Sequence, residues 1–170
     1  MLIRPYRSAD CPALAELFYE TVHTVCAWDY APEQLDAWAP GQVDLAAWDT
    51  SFLAHRTLAA VEGETIVGFA DMDGSGYLDR LYVHRDFQRR GVATTLCDTL
   101  EAATAAETFT THASRTARPS GAPEGPPLRG DGVQLSMSAS TKRIAPISCA
   151  ISVHSACWTG SSGSNWTSVA

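Results

Sequence analysis

The chain has 170 residues and a formal net charge of −7, with 45% hydrophobic and 18% charged residues. That length buries a sizeable core without a disulfide scaffold, and that composition excludes a fully disordered or collagen-like chain. No apolar run reaches the length of a membrane span, and the acidic balance argues against nucleic-acid binding. The opening residues show no long apolar stretch and no small-residue cleavage site, so no leader is read. Five scattered cysteines without a CxxC pair point to reduced thiols and a cytoplasmic protein, with neither a disulfide framework nor a zinc site.

Residues 2–6 predict a short edge strand, because Pro5 cannot donate to a central ladder. Asp10 is placed to cap a helix that has Pro12 in its first turn and Leu14, Leu17, Phe18, Thr21, Val22 and Val25 at helical spacing. A second helix is expected from Pro32 to Pro40. A third starts at Asp44, with Leu45, Trp48, Phe52 and His55 on one face. Residues 57–61 and 65–71 read as strands joined by the turn Glu62-Gly63-Glu64, and 77–83 as a strand after Gly74-Ser75-Gly76. A helix from Gly91 to about Ala103 and a strand over 108–113 complete a mixed α/β layer order.

The chain changes character near residue 118. Residues 1–118 hold 17 Asp and Glu, 9 Arg and every Phe and Tyr, whereas 11 of the 15 Ser and 5 of the 9 Pro lie beyond. Two units are therefore expected: a folded 1–118 and a Ser/Gly/Pro-rich tail, 119–170, with little apolar mass to offset ordering. The alternative is a divergent end that folds, because Val133, Leu135 and Met137, and again Ile147, Cys149, Ile151 and Val153, alternate with polar residues as strands do.

Chemistry concentrates in the run from Leu81 to Thr94. A strand ends at Val83, a short loop follows, and a helix opens at Gly91 with unpaired amides at the positive end of its dipole. Glycine lets an anion approach the backbone. Arg80, Arg85, Arg89 and Arg90 form a basic island in an acidic domain, which a phosphate site explains.

Gln88-Arg89-Arg90-Gly91-Val92-Ala93 resembles the Gln/Arg-x-x-Gly-x-Gly/Ala motif by which the GNAT superfamily of N-acetyltransferases binds acetyl-CoA. The element order over 1–118 fits as well. The resemblance implies a mixed, mostly antiparallel sheet flanked by helices, with C-terminal elements missing or replaced. It implies that Gln88, Arg89, Arg90, Gly91, Val92, Ala93 and Thr94 cradle the coenzyme pyrophosphate. It also implies that Leu81, Tyr82 and Val83 hydrogen-bond the pantetheine on a strand splayed from its neighbour, and that Ser114 stands where relatives place an Asn touching the coenzyme. Beyond residue 118 the family's helix is absent: Pro123, Pro126 and Pro127 break it, and no aromatic stands near Gly121 for the tyrosine general acid of many relatives. With the composition break, this points to a shifted reading frame, which resequencing the gene tests.

The implied reaction is attack of an amine on an acetyl thioester, with acetyl-CoA as cosubstrate and a small-molecule or protein amine as acceptor. The amine must lose a proton. Asp79, and second Tyr77, are the candidate bases, on one strand face with Leu81; the structural alternative for Asp79 is an ion pair with Arg80 or Arg56. His23, Trp28, Tyr30 and Trp38 border the acceptor side in the resembled fold, and Cys97 reads as packing. The five His show no ligand-like spacing, so no metal is expected. A second function class is a non-enzymatic acyl-CoA-binding module or inactive remnant, which turnover distinguishes.

Overall fold

The computed structural model describes residues 1–113, 133–138 and 151–152, so Ser114 and most of the expected tail lie outside the described residues. Seven strands form one sheet: β1 (Leu2–Pro5), β2 (Arg56–Glu62), β3 (Thr65–Met72), β4 (Tyr77–Val83), β5 (Thr108–Ala113), β6 (Val133–Ser138) and β7 (Ile151–Ser152). The order β1-β2-β3-β4-β5-β6 is antiparallel throughout except for the parallel pair β4–β5, and β7 pairs antiparallel with β4. This is the expected mixed, mostly antiparallel sheet. Among the described residues no helix is long and apolar enough to cross a membrane.

Among the described residues four α-helices cover the sheet: α1 (Cys11–Thr24), α2 (Pro32–Trp38), α3 (Leu45–Ala54) and α4 (Val92–Ala103). Asp44 caps α3 by accepting from the amides of Ala46 and Ala47, both at 3.0 Å. Asp10 does not cap α1 in this way. Its carboxylate takes two hydrogen bonds from Arg4, at 2.6 and 2.8 Å, and one from the Arg7 amide at 2.9 Å. A charged fork outcompetes neutral amides for the same oxygens, so Asp10 ties the helix start to the edge strand instead.

Strand alternation divides the core between the two faces. Leu81 and Val83 of β4 join Val92, Leu96, Cys97 and Leu100 under α4. Tyr82 and Phe69 turn the other way, into Leu14, Phe18 and Val22 of α1 and Phe52 of α3. There Tyr82 stacks on Phe69 at 5.5 Å and meets the edge of Phe18 at 5.0 Å. Gly68 belongs to the α4 side for a steric reason: a Cβ there would lie 2.9 Å from Val92 Cγ1.

Two irregularities in β4 position everything that follows. Its pairing with β5 is confined to Tyr77–Thr110 and Leu78–Thr111, after which the strands part. The closed end is held by Thr111 Oγ1 donating to the Leu78 carbonyl at 2.8 Å and the Thr110 amide donating to the Gly76 carbonyl at 3.1 Å. Gly76, at φ 91, allows that approach, since a Cβ would fall 2.6 Å from the Thr108 carbonyl oxygen. Against β3 the register shifts: Met72 faces Leu78 but Asp71 faces Arg80, leaving Asp79 as the extra residue of a β-bulge.

Candidate active site

The loop after β4 is built to present backbone donors. His84 donates its amide to Val67 at 2.9 Å, a single 3-10 turn spans Arg85–Phe87, and the Gln88 side chain reaches back to the Val83 carbonyl at 2.6 Å. Gln88 therefore braces the loop against the strand end. Arg89 and Gly91 then adopt left-handed backbone, at φ 61 and 78. Such a conformation costs a side-chain-bearing residue about 1–2 kcal/mol, and it converges successive amides into an anion-binding concavity. Gly91 is the N-cap of α4 and supplies no side chain to its first amides. Among the described residues nothing beyond its chain neighbours lies within 4 Å of where its Cβ would stand, so that side is open.

The residues expected at this loop are brought together, by different atoms. Val92 is 2% exposed, so its side chain is core and only its amide faces the loop. Ala93 is half-buried, and Thr94 and Gly91 are exposed. Arg89 and Arg90 are exposed, and among the described residues no carboxylate engages either within 4.0 Å. The Arg90 guanidinium lies over the Phe87 ring at 4.8 Å. Arg80 does not belong to the basic island. It is 5% exposed and pairs with Asp71 on the α1 and α3 face of the sheet, because strand alternation in step with Tyr82 sets it opposite that residue.

Leu81, Tyr82 and Val83 lie along the stretch of β4 that β5 has left, all buried. β7 pairs on that stretch, with Ile151 opposite Leu81 and Ser152 opposite Arg80. β3 holds the other edge of β4, so β7 occupies part of the gap between β4 and β5. Tyr82 and Val83 lie beyond its pairing.

Behind the gap is a buried polar cluster. Asp71, fully buried, receives Arg80 Nε and Nη2, both at 2.8 Å, and His55 Nδ1 at 2.7 Å. Arg80 also donates to Ser51 at 2.6 Å and lies 4.1 Å over the Phe52 ring. The bulge turns Asp79 into this cluster and away from Leu81, which corrects the expectation that the two share a face. Its carboxylate lies within 4.8 Å of ligating atoms of both His55 and Asp71. One Asp79 oxygen is 3.6 Å from Arg80 Nε, and among the described residues the other, buried, has no hydrogen-bond partner. Arg80 thus hydrogen-bonds Asp71 and also stands in ion-pair range of Asp79, as the structural alternative for Asp79 expected, while the other Asp79 oxygen keeps an unsatisfied acceptor.

Burial first, then the Asp71 charge, pushes the Asp79 carboxyl above its ordinary range. Burial and the carboxylates of Asp79, Asp73 and Asp71 push the half-buried Tyr77 phenol up to about 12. His55, Asp71 and Asp79 have the makeup of a metal-ligand set, but the guanidinium bonded to both Asp71 oxygens opposes a cation there. Sequence spacing did not reveal this set, since 16 residues separate His55 from Asp71.

The remaining aromatic candidates divide. Trp28 is 91% exposed, whereas Tyr30 and Trp38 meet edge-on at 5.5 Å and pack on the core beneath α1 and α3. His23 donates through Nε2 to the Ala39 carbonyl at 2.9 Å. Cys97 is core, and burial pushes its thiol up to about 12.

Comparison with known proteins identifies the family and the fold. A family model described as an acetyltransferase (GNAT) domain matches residues 26–120. The chain is 32% identical over 117 residues to the uncharacterized N-acetyltransferase YafP of Escherichia coli K12, covering 69% of this chain and 75% of that one. A GCN5-related N-acetyltransferase structure from Rhodopseudomonas palustris superposes with a TM-score of 0.65 at 36% identity, over 68% of this chain and 74% of the other. The PaiA N-acetyltransferase of Thermoplasma acidophilum, solved with coenzyme A, shares the fold at a TM-score of 0.61 and 18% identity, over 67% and 79% of the two chains.

Proposed function

Because the chain belongs to the GNAT family of acetyltransferases, we propose that it transfers an acetyl group from acetyl-CoA to an amine of a small molecule or protein. The observation that carries this reading is the loop at Gln88–Thr94, where two left-handed residues and an uncapped helix start face open space beside a parted strand pair. These features fit a pyrophosphate and the extended chain attached to it. Acetyl-CoA supplies an acyl carbon activated as a thioester.

The chain's own residues supply the rest. The amides of Val92, Ala93 and Thr94 hold phosphate oxygens, with Arg89 and Arg90 adding charge from the exposed side. The Tyr82 and Val83 backbone aligns the pantetheine. Asp79 accepts the proton that an ammonium must lose before it attacks. A buried carboxyl raised above its ordinary range is a better base for that step than a solvated one. Tyr77 keeps its proton at neutral pH and acts as a donor.

A second reading has one observation in its favour. β7 pairs with β4 at Leu81, on the backbone the pantetheine would use, which suits an inactive remnant or a non-enzymatic acyl-CoA-binding module. The test is titration of the full chain with acetyl-CoA, followed by thiol release across a panel of amines. Binding with transfer is expected. Binding without transfer to any amine selects the second reading, and absence of binding overturns both.

A further inference from the structure

The assignment of Asp79 as proton acceptor leaves a physical problem, since a group 5% exposed must pass its proton on before it can act again. Five ionisable residues surround it. Asp71 is saturated by three hydrogen bonds from Arg80 and His55. Arg80 holds its charge at any working pH. Tyr77 keeps its proton, its phenol being pushed up to about 12. Asp73, in the turn before β4, is fixed by the Ser75 hydroxyl and the Ser75 and Tyr77 amides; these outweigh burial and hold it below its ordinary range. That leaves His55.

His55 stands between α3 and β2, with its ring 24% exposed. Its Nδ1 is fixed on Asp71 at 2.7 Å, and a ring nitrogen comes within 4.8 Å of an Asp79 oxygen, a span short enough for one water to bridge. α3 contributes Ser51, bonded to Arg80, and the chain neighbour Arg56 is exposed. We propose that His55 is the proton outlet of Asp79, a positioning residue that connects the buried carboxylate to solvent.

This rests on the reading of Asp79 as the base. In that sequence an ammonium gives its proton to the Asp79 carboxylate. The carboxyl passes it to neutral His55, and the imidazolium releases it to water. Moving the proton from Asp79 to His55 leaves the net charge of the buried cluster unchanged, so no isolated charge is created in the interior. The Asp71 hydrogen bond raises His55 against the effect of burial, and the Asp79 charge adds to that rise.

The test compares His55→Asn, which keeps a donor toward Asp71 but cannot titrate, with Asp79→Asn and wild type, all checked by circular dichroism. His55→Asn is expected to lower kcat by on the order of 10–10²-fold, with acetyl-CoA affinity unchanged and activity partly restored by added imidazole. Wild-type kcat and pH profile in His55→Asn, or a loss that imidazole does not touch, overturns the outlet. If Asp79→Asn alone abolishes turnover, the base reading stands without the outlet; if Asp79→Asn is as active as wild type, both fall. A second measurement needs no acceptor. The proton NMR titration midpoint of His55 is expected to move down in Asp79→Asn, and an unmoved midpoint rejects the coupling.

Discussion

Replacing Gly91 separates two costs that are usually confounded. The residue sits at φ 78 with nothing within 4 Å of its absent Cβ. Any side chain there meets backbone strain but no neighbouring atom of the protein. Gly91→Ala and Gly91→Glu should therefore lose similar stability, about 1–2 kcal/mol, which lowers Tm by roughly 2–8 °C in a chain of this size. Their coenzyme affinities should differ sharply. A carboxylate about 4 Å from a phosphate charge costs between about 1 kcal/mol in water and about 4 kcal/mol at a protein surface, or roughly 5- to 10³-fold in Kd. Calorimetric titration with acetyl-CoA at low and high salt, alongside thermal melts, reads both terms. The Glu penalty beyond Ala should shrink with salt, because an exposed charge pair is screened. A folded Gly91→Glu protein that binds acetyl-CoA with wild-type affinity refutes the phosphate cradle. An unchanged Tm in Gly91→Ala refutes the strain argument.

Asp71→Asn strands the buried Arg80 charge and should cost about 3–5 kcal/mol in a urea melt; adding Arg80→Met should recover much of it, and no recovery would show that the pair is not the reason. Arg4 and the Arg7 amide hold the Asp10 carboxyl below its ordinary value of 3.8 despite burial. Its contribution is therefore present above about pH 4 and lost as pH falls through the lower folded value. The Tm deficit of Asp10→Asn at pH 7 should accordingly shrink as pH is lowered below about 4, and a deficit independent of pH would point to packing alone. Ile151→Pro removes the amide and the backbone freedom that β7 needs. It should tighten acetyl-CoA binding, and unchanged affinity would mean that β7 and the coenzyme do not share β4.

Helices and strands through residue 113 were legible because their signals are local. Apolar period fixes α1 and α4, and the glycine turns at 63 and 74–76 fix the ends of β2, β3 and β4. The shape of the Gln88–Thr94 loop was legible too, since strand, loop and helix start are contiguous in the chain. The bulge at Asp79 was not. It arises from register against β3, which no residue within β4 announces, and it moved Asp79 off the face of Leu81. Arg80 was misread for a different reason: four arginines close in sequence look like one island, but strand alternation sends this one to Asp71. His55 was visible as one end of an amphipathic face, yet its meeting with Asp71 and Asp79 depends on the β2–β3–β4 pairing. The alternation at 133–137 signalled a strand, but not its place beside β5, and nothing in residues 151–152 marked β4 as their partner.

The shortness of β7 limits what it can do. Two paired residues offer at most a few backbone hydrogen bonds, each worth about 0.5–1.5 kcal/mol net, and holding the segment costs about 1–2 kcal/mol of entropy per residue. The docked and undocked forms therefore lie close in free energy. A ligand that needs the bare edge of β4 binds with an apparent Kd equal to its intrinsic Kd divided by the fraction of molecules whose edge is bare. With a gap this small that fraction stays appreciable, so pairing by Ile151 and Ser152 would weaken such a ligand's apparent affinity only modestly. It scales the concentration at which the site fills and leaves the filled site's chemistry unaltered.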